Sequence, residues 1–403
     1  VPPPPPPPVV YPFIPSQEQA IQLTILVYTP LIETGSYVPR GRMISDDLGD
    51  HYTALEFSSV ADGGWDSGRI TLTGTLQEME EWFDVGLNRH IEVYNPELEL
   101  IWAGYVNQVQ LSAGTLTATR GPVMEICNRC SVSYTPILDA TADPPTTGTQ
   151  TLTTIEDDDD SIAKFGILEQ IISGGQLLDD DPDDGAGANR AETLRDTYLE
   201  EMRDPQSSEE LGIGSSSQPS VTLDLLGYRH RFSRYMVQDS TTETVTISND
   251  DGTGKVQLVI AADPNGLFST DYTQTEDNAL LTSRYEDGTR DAWTILAELV
   301  EMGDANNTRT TLGVYENQRV VYGTIPDTVA YEHRIADEVM RVEQYGNGVM
   351  VRPWDVKPAR WLFLSDFLVG RTQQETDDKR KDPRYIFVES VTFTAPYSVQ
   401  ING

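Results

Sequence analysis

The stretch Arg89 to Thr135 constrains the fold more than any other part of the sequence. Apolar residues alternate along it at period two: Ile91 and Val93, Leu98 and Leu100, Val109 and Leu111, with Tyr105 and Leu116 continuing the pattern. Alternation of this kind puts successive side chains on opposite faces of a strand, so that one face is buried. Asn95-Pro96 and Ala113-Gly114 fall between the apolar runs, where turn residues let the chain reverse. An antiparallel meander is therefore expected, with three of its strands joined by short turns.

Upstream, Ile21-Leu23-Ile25-Val27 and Thr53-Leu55-Phe57 also alternate. Gly63-Gly64-Trp65 breaks the chain and Gly68-Arg69-Ile70-Thr71-Leu72 resumes it. Thr75-Leu76-Gln77-Glu78 has the form of a capping box, with Thr75 as N-cap. Met79, Trp82 and Phe83 then recur at helical spacing, which predicts a short helix packed on the meander. Trp82 and Trp102 are expected in the core. Residues 20–135 thus read as one β-rich domain with a single helix.

Residues 136–220 change character and read as an acidic helical and loop insertion. Ile162, Phe165, Ile167, Leu168, Ile171 and Ile172 suggest an amphipathic helix ended by Gly174-Gly175, with Asp157 to Asp160 near its start. A second helix is expected over Ala191 to Met202, and Gly214 to Ser220 reads as a loop. The run Asp179 to Gly185 resembles a calcium loop only in composition. With Gly185 at the sixth position, Pro182 falls where a ligand is needed and Ala191 replaces the bidentate Glu.

Residues 221–403 read as a second β-rich domain. Gly227 to Tyr235 is its one locally basic stretch, and Arg229, Arg231 and Arg234 are expected to form salt bridges at a domain or subunit interface. Thr244 to Ile247 and Lys255 to Ile260 flank Asn249-Asp250-Asp251-Gly252 as a hairpin signal. Asp291 caps a helix near 291–302 whose face is lined by Trp293, Leu296, Ala297 and Val300, with Gly303 as its stop. A hairpin around Glu316-Asn317 follows, and Trp293 is expected in this domain's core. Tyr345 to Val351 and Tyr385 to Phe393 are expected to add further strands.

The N-terminal arm, residues 1–19, is different again. Pro2 to Pro8 fix an extended conformation without backbone donors, so this arm cannot be core. Tyr11 and Phe13 follow it and are candidate contacts to a neighbouring subunit. No run of about 18 apolar residues occurs, so no membrane span is expected. No secretory signal is visible either.

The formal net charge is −36, from 64 acidic and 28 basic residues. Such a chain repels phosphate backbones, which argues against nucleic-acid binding and sequence readout. Cys127 and Cys130 form the sole Cys-x-x-Cys, without the second ligand pair of a zinc site or an evident thiolate-stabilising helix, so inert thiols are expected. His51, His90, His230 and His333 are scattered. No nucleophile elbow, phosphate loop or zincin motif is present, so the sequence offers no catalytic, cofactor or metal residues.

One resemblance organises these observations. A helix ending Glu81-Trp82-Phe83 leads to Ile101-Trp102-Ala103-Gly104-Tyr105-Val106, then Gly121-Pro122, Asn128-Arg129 and Tyr134. In this order, over roughly residues 50–135, the sequence resembles the first β-domain of tail hub, or baseplate hub, proteins of tailed phages. The helix carrying Trp293, then Gly303-Asp304, Val314-Tyr315 and Arg319 to Tyr322, resembles their later part. The resemblance implies a mainly β fold with short helices, in which two β-barrel-like domains flank the acidic insertion. It implies a non-enzymatic virion protein at the tail tip, forming a homotrimer whose pseudo-sixfold face meets the tail tube. The partners implied are the distal tail or tube protein, the tape measure protein and tail fibres. An extracellular carbohydrate-binding or adhesin-like β-protein remains the alternative, and a glycoside hydrolase a third class that sequence cannot test.

Overall fold

The computed structural model describes residues 23–33, 36–45, 48, 52–178, 186–211, 217–239, 252–269, 288–304, 310–325, 328–336, 339–365, 384–395 and 398–402. The Pro-rich arm with Tyr11 and Phe13, the acidic run Asp179 to Gly185, and Thr244 to Asp251 lie outside them.

Strands β1 (Thr24–Glu33), β2 (Ser36–Ser45), β3 (Tyr52–Val60) and β4 (Gly63–Thr73) come first. Helix α1 (Leu76–Val85) follows, then β5 (His90–Tyr94), the long β6 (Leu100–Gly114) and β7 (Leu116–Arg120). The capping box forms as expected: Thr75 Oγ1 accepts from Glu78 N at 3.3 Å, and Glu78 Oε2 accepts from Thr75 N at 2.8 Å. The meander forms too, with β5, β6 and β7 paired antiparallel. Asn95 Oδ1 closes its first turn by accepting from the backbone of Glu97 and Glu99. Gly114, at φ +63°, makes the second, in a region that L side chains avoid.

The region expected to be helical is instead mixed. It holds β8 (Arg129–Asp139), the short β9 (Thr146–Thr147), β10 (Thr151–Leu152) and β11 (Glu156–Asp157), α2 (Asp159–Phe165), β12 (Glu169–Leu178) and α3 (Ala186–Met202). The helix expected to run to Ile172 stops at Phe165, and Ile171 and Ile172 lie in β12, parallel to β8. The buried side chain of Asn128 explains the switch. It donates to the Gly166 carbonyl at 2.8 Å and accepts from Leu168 N at 2.7 Å, which draws the chain out of helix and alongside β8. Gly174 and Gly175 mark a bulge in β12 rather than a helix end. The helix expected over Ala191 to Met202 is present within α3, which packs on β8 and β12 through Ala191 and Leu199.

Then come β13 (Ser207–Leu211), β14 (Ser217–Leu226), a 3-10 segment Tyr228–Arg234, β15 (Met236–Asp239), α4 (Gly252–Ala261), β16 (Gly288–Asp291) and α5 (Ala292–Asp304). Strands β17 (Thr310–Val314) and β18 (Val320–Thr324) form the hairpin expected around Glu316-Asn317. The chain ends in β19 (Val329–Ala336), β20 (Val339–Gln344), β21 (Trp361–Leu364), β22 (Tyr385–Phe387), β23 (Ser390–Thr394) and β24 (Ser398–Asn402). Lys255 to Ile260 form helix α4 instead of the expected strand. Val256, Val259 and Ile260 recur at helical spacing and are buried in the same core as α5. Asp291 caps α5 through Thr294 N at 2.9 Å. The buried stripe of α5 is Ala292, Ile295, Leu296, Leu299 and Val300, so Trp293 is half-buried, Ala297 is exposed, and the helix runs past Gly303 to Asp304.

The fold is mainly β, built from several largely antiparallel sheets, and no closed barrel is found among the described residues. The large sheet runs β2-β1-β5-β6-β14-β4-β3-β23-β24, with β7 and then β13 branching from β6 and the β17–β18 hairpin from β4. Strand β14 lies between β6 and β4, antiparallel to both, and buries Val221, Leu223 and Leu225. The boundary expected at residue 221 therefore separates no two sheets. Strands β23 and β24 extend the same sheet from β3, while β20-β19-β21-β22 form a small sheet of their own. One core, around fully buried Trp102, lines the large sheet beneath α1; a second gathers α4, α5 and the 3-10 segment.

Candidate functional site

The basic stretch after β14 sits at the junction of these cores. Tyr228 to Arg234 fold as a tight 3-10 segment, which fans the three arginines in different directions. Arg229 pairs with Asp66 on β4, with Nε donating at 2.8 Å, and His230 Nε2 meets the same oxygen at 3.0 Å. Burial alone would raise the Asp66 carboxyl, but the bonds from His230 and Arg229 outweigh it and hold it down to about 2. The Arg229 guanidinium also lies 5.2 Å from the centre of the Trp293 ring. Gly63 admits this arrangement: at φ +142°, a Cβ there would come within 2.3 Å of Arg229 Cδ.

Arg231 and Arg234 turn inward. Only 3 % of Arg231 is exposed; it donates to the Phe165 carbonyl at 3.1 Å and to Asn88 Oδ1 at 2.6 Å. It stacks 4.3 Å from the Tyr105 ring centre and 5.5 Å from that of Tyr37. Tyr37 donates to Asn88 Oδ1 at 2.9 Å, and burial pushes its hydroxyl up to about 12. Arg234, 8 % exposed, bonds the Ile126 carbonyl. Within the chain these two arginines are interior ties between the large sheet, α2 and the 3-10 segment. They are not surface ion pairs, which corrects the subunit-contact reading for both.

A buried polar chain continues from this junction. His90 Nδ1 meets Tyr228 Oη at 2.9 Å, and His90 Nε2 meets Glu92 Oε1 at 3.0 Å. Tyr94 donates to Glu92 Oε2 at 2.8 Å, and Arg40 on β2 pairs with the same carboxylate. Burial would raise Glu92, but His90, Arg40 and Tyr94 together hold it down to about 2. The imidazole and carboxylate resemble a catalytic pair in composition alone. Both are fully enclosed and partnered on each side, so they tie strands together rather than meet a substrate.

The exposed apolar side chains mark a different kind of site. Leu31 on β1 and Val38, Met43 and Ile44 on β2 all face solvent, Met43 with 48 % of its surface. They lie on the terminal pair of strands of the large sheet, with Arg40 and Arg42 exposed among them. Edge apolar surface of this kind marks contacts with other chains. Pro39 and two register shifts against β1 interrupt regular pairing there, so the side chains rather than the backbone edge are available. A second patch, Tyr345, Val349 and Met350, borders a cleft of about 650 Å³ with Gln344, Asn347 and Arg352.

Among the other expected residues, Trp102 is fully buried and donates from Nε1 to the Ser58 carbonyl at 3.2 Å. Trp82 is half-buried on α1, its ring covered by the Arg89 guanidinium at 4.6 Å. Sequence reasoning assigned no role to Asn88, Asn128 or Glu92. Polar residues beside strands are common, and only Asn128, inside the quoted Asn-Arg pair, carried any signal. The β2 patch left a trace in Met43-Ile44, two consecutive apolar residues that break alternation. Among the described residues no cluster of His, Cys, Asp and Glu could hold a metal ion, and no helix is long and apolar enough to cross a membrane. No protein-family model matches the chain, and no curated protein matches it.

Proposed function

We propose that this chain is a structural component of a phage tail, a hub or baseplate ring that joins the tail tube to the tail tip or fibres and surrounds the DNA exit channel. The observation that carries the reading is the apolar, partly basic surface of β1 and β2 at one end of the large sheet. Leu31, Val38, Met43 and Ile44 are exposed and gain burial against another chain, and Arg42 offers a cation to an otherwise strongly acidic protein. The interior supports a scaffolding role, since its buried charged side chains, Glu92, Arg231 and Arg234, tie strands and loops together. On this reading two barrel-like domains per chain give a trimer its pseudo-sixfold face. Its other partners are the distal tail or tube protein, the tape measure protein and tail fibres. Its excess carboxylates face the channel, where they let DNA slide by repelling phosphates.

Mass measurement of the purified oligomer tests the proposal, together with imaging of virions labelled against this chain. Closed rings of three copies at the tail tip are expected. A stable monomer at micromolar concentration, with no label on the tail, would refute it. The cleft beside Tyr331 and Tyr345, with Gln344, Asn347, Arg352 and Asp355 on its walls, favours the second reading, a carbohydrate-binding or adhesin-like protein. Glycan-array binding by the monomer would support that reading.

A further inference from the structure

The exposed apolar side chains of β1 and β2 form one face, and the chain itself can supply what covers it. In the register of this pair, Leu31 lies opposite Val38 and Tyr28 opposite Met43, and opposed residues point to the same side of a sheet. Ile32 and Tyr37, the next pair, pack into the core that holds α4 and α5. Alternation then turns Leu31 and Val38 away from that core. The Arg40 guanidinium beside them is already paired with Glu92, so an occupant of this face needs no charge of its own. Pro39 and the two register shifts deny the occupant an unbroken backbone ladder. The face suits a segment rich in apolar side chains and poor in backbone donors.

Outside the described residues, the N-terminal arm holds such a segment: Val9-Val10-Tyr11-Pro12-Phe13-Ile14-Pro15. Pro12 and Pro15 carry no backbone N–H. No charged side chain precedes Glu18, in a chain whose net charge is −36. Copies of so acidic a chain repel one another, and an uncharged arm approaches a neighbour without that repulsion. The direction of β1 decides whose face the arm meets. Strand β1 runs from Thr24 toward Leu31, so the arm joins the sheet at the end of β1 farthest from Leu31 and Val38. To cover its own face the arm would have to double back within residues 16–22, which hold no Gly, Pro, Asn or Asp for a turn. Running onward needs no reversal. Residues 11–22 reach up to about 40 Å when extended, at roughly 3.3 Å per residue, enough to cross onto an adjacent copy.

We propose that residues 9–14 of one copy seat on the β1–β2 face of a neighbouring copy, with Tyr11 and Phe13 as the anchors that cover Leu31, Val38, Met43 and Ile44. The inference rests on the ring of the preceding subsection and names the segment that closes it. Each copy gives one arm and receives one, a head-to-tail contact that closes when the rotation between copies does. The fixed φ of Pro12 and Pro15 reduces the conformational entropy lost as the segment seats. Two aromatic anchors on four exposed apolar side chains concentrate the binding energy at the centre of the contact.

The test puts a photoreactive phenylalanine analogue in place of Phe13 in the full chain, irradiates the purified oligomer, and reads the products by denaturing gel and peptide mass spectrometry. Covalently joined chains are expected, with arm peptides linked to peptides that carry Leu31 or Val38 to Ile44. Val38→Asp with Met43→Asp is expected to remove these products. Leu211→Asp, at an exposed leucine on β13, is expected to leave them unchanged. Tyr11→Ser with Phe13→Ser is expected to raise the concentration at which half the oligomer dissociates, measured by light scattering, about tenfold or more. Products of single-chain mass that join an arm to its own β1 or β2 would overturn the proposal while the ring stands. Inter-chain products that map away from both strands would do the same, as would an unchanged dissociation midpoint in the Tyr11→Ser, Phe13→Ser variant. A chain that light scattering finds monomeric at micromolar concentration would instead remove the ring itself, and the docking with it.

Discussion

Replacing Glu92 by Gln tests whether the buried polar chain holds the large sheet together. Glu92 lies on β5, between β1 and β6, and receives hydrogen bonds from His90, Tyr94 and Arg40 while almost wholly enclosed. Folding depresses its carboxyl from an ordinary 4.5 to about 2. The stability it contributes is therefore fully present above 4.5 and is lost as pH falls through about 2. The gap of about 2.5 pH units, at roughly 1.4 kcal/mol per unit, corresponds to about 3.5 kcal/mol. Gln keeps the shape but not the charge, so Glu92→Gln is expected to lose about this amount at neutral pH. Urea unfolding followed by tryptophan fluorescence, from pH 7 down to pH 2, measures it. Acid also relieves the repulsion among the remaining carboxylates, but that contribution is common to both proteins and cancels in their difference. The two stability curves should converge as pH falls from 4.5 toward 2. Parallel curves with a constant gap would show that the carboxylate's charge is not what matters, and the reasoning would fail.

Trp102→Ala, at a fully buried indole, is expected to cost about 3–5 kcal/mol in chemical denaturation, and Trp82→Ala, at a half-buried one, distinctly less. Asn128→Ala orphans the buried Leu168 N–H and Gly166 carbonyl, at about 1–3 kcal/mol for each group, and hydrogen exchange should show β12 opening first. Met43→Asp with Ile44→Asp is expected to dissociate the oligomer without changing the monomer's thermal melt; an unchanged mass by light scattering would remove β2 from the interface. In the assembled ring, carboxylates are expected to outnumber Lys and Arg along the channel axis. A channel lined mainly by basic side chains in the imaged particle would defeat the sliding argument.

Where neighbouring residues settle the outcome, the sequence alone determined it. The β5–β6–β7 meander, the Thr75–Glu78 capping box, the Asp291 cap and the β17–β18 hairpin depend on groups a few residues apart. Their chemistry is the same in any tertiary setting. Short apolar runs are ambiguous, because a few buried residues fit period two and period 3.6 about equally well. Lys255 to Ile260 form helix against α5, and Ile171-Ile172 form strand beside β8, because a partner distant in sequence packs against each. The same holds for β14, whose neighbours β6 and β4 precede it by about a hundred residues or more and whose insertion merges two segments that composition had kept apart. Burial of a charge is the property least visible in sequence. Arg231 and Arg234 read as salt-bridge partners at a domain or subunit interface until the fold enclosed them, Arg234 against a carbonyl 108 residues earlier. Whether a guanidinium is solvated or buried against backbone carbonyls depends on what surrounds it, and only the assembled tertiary structure fixes those surroundings.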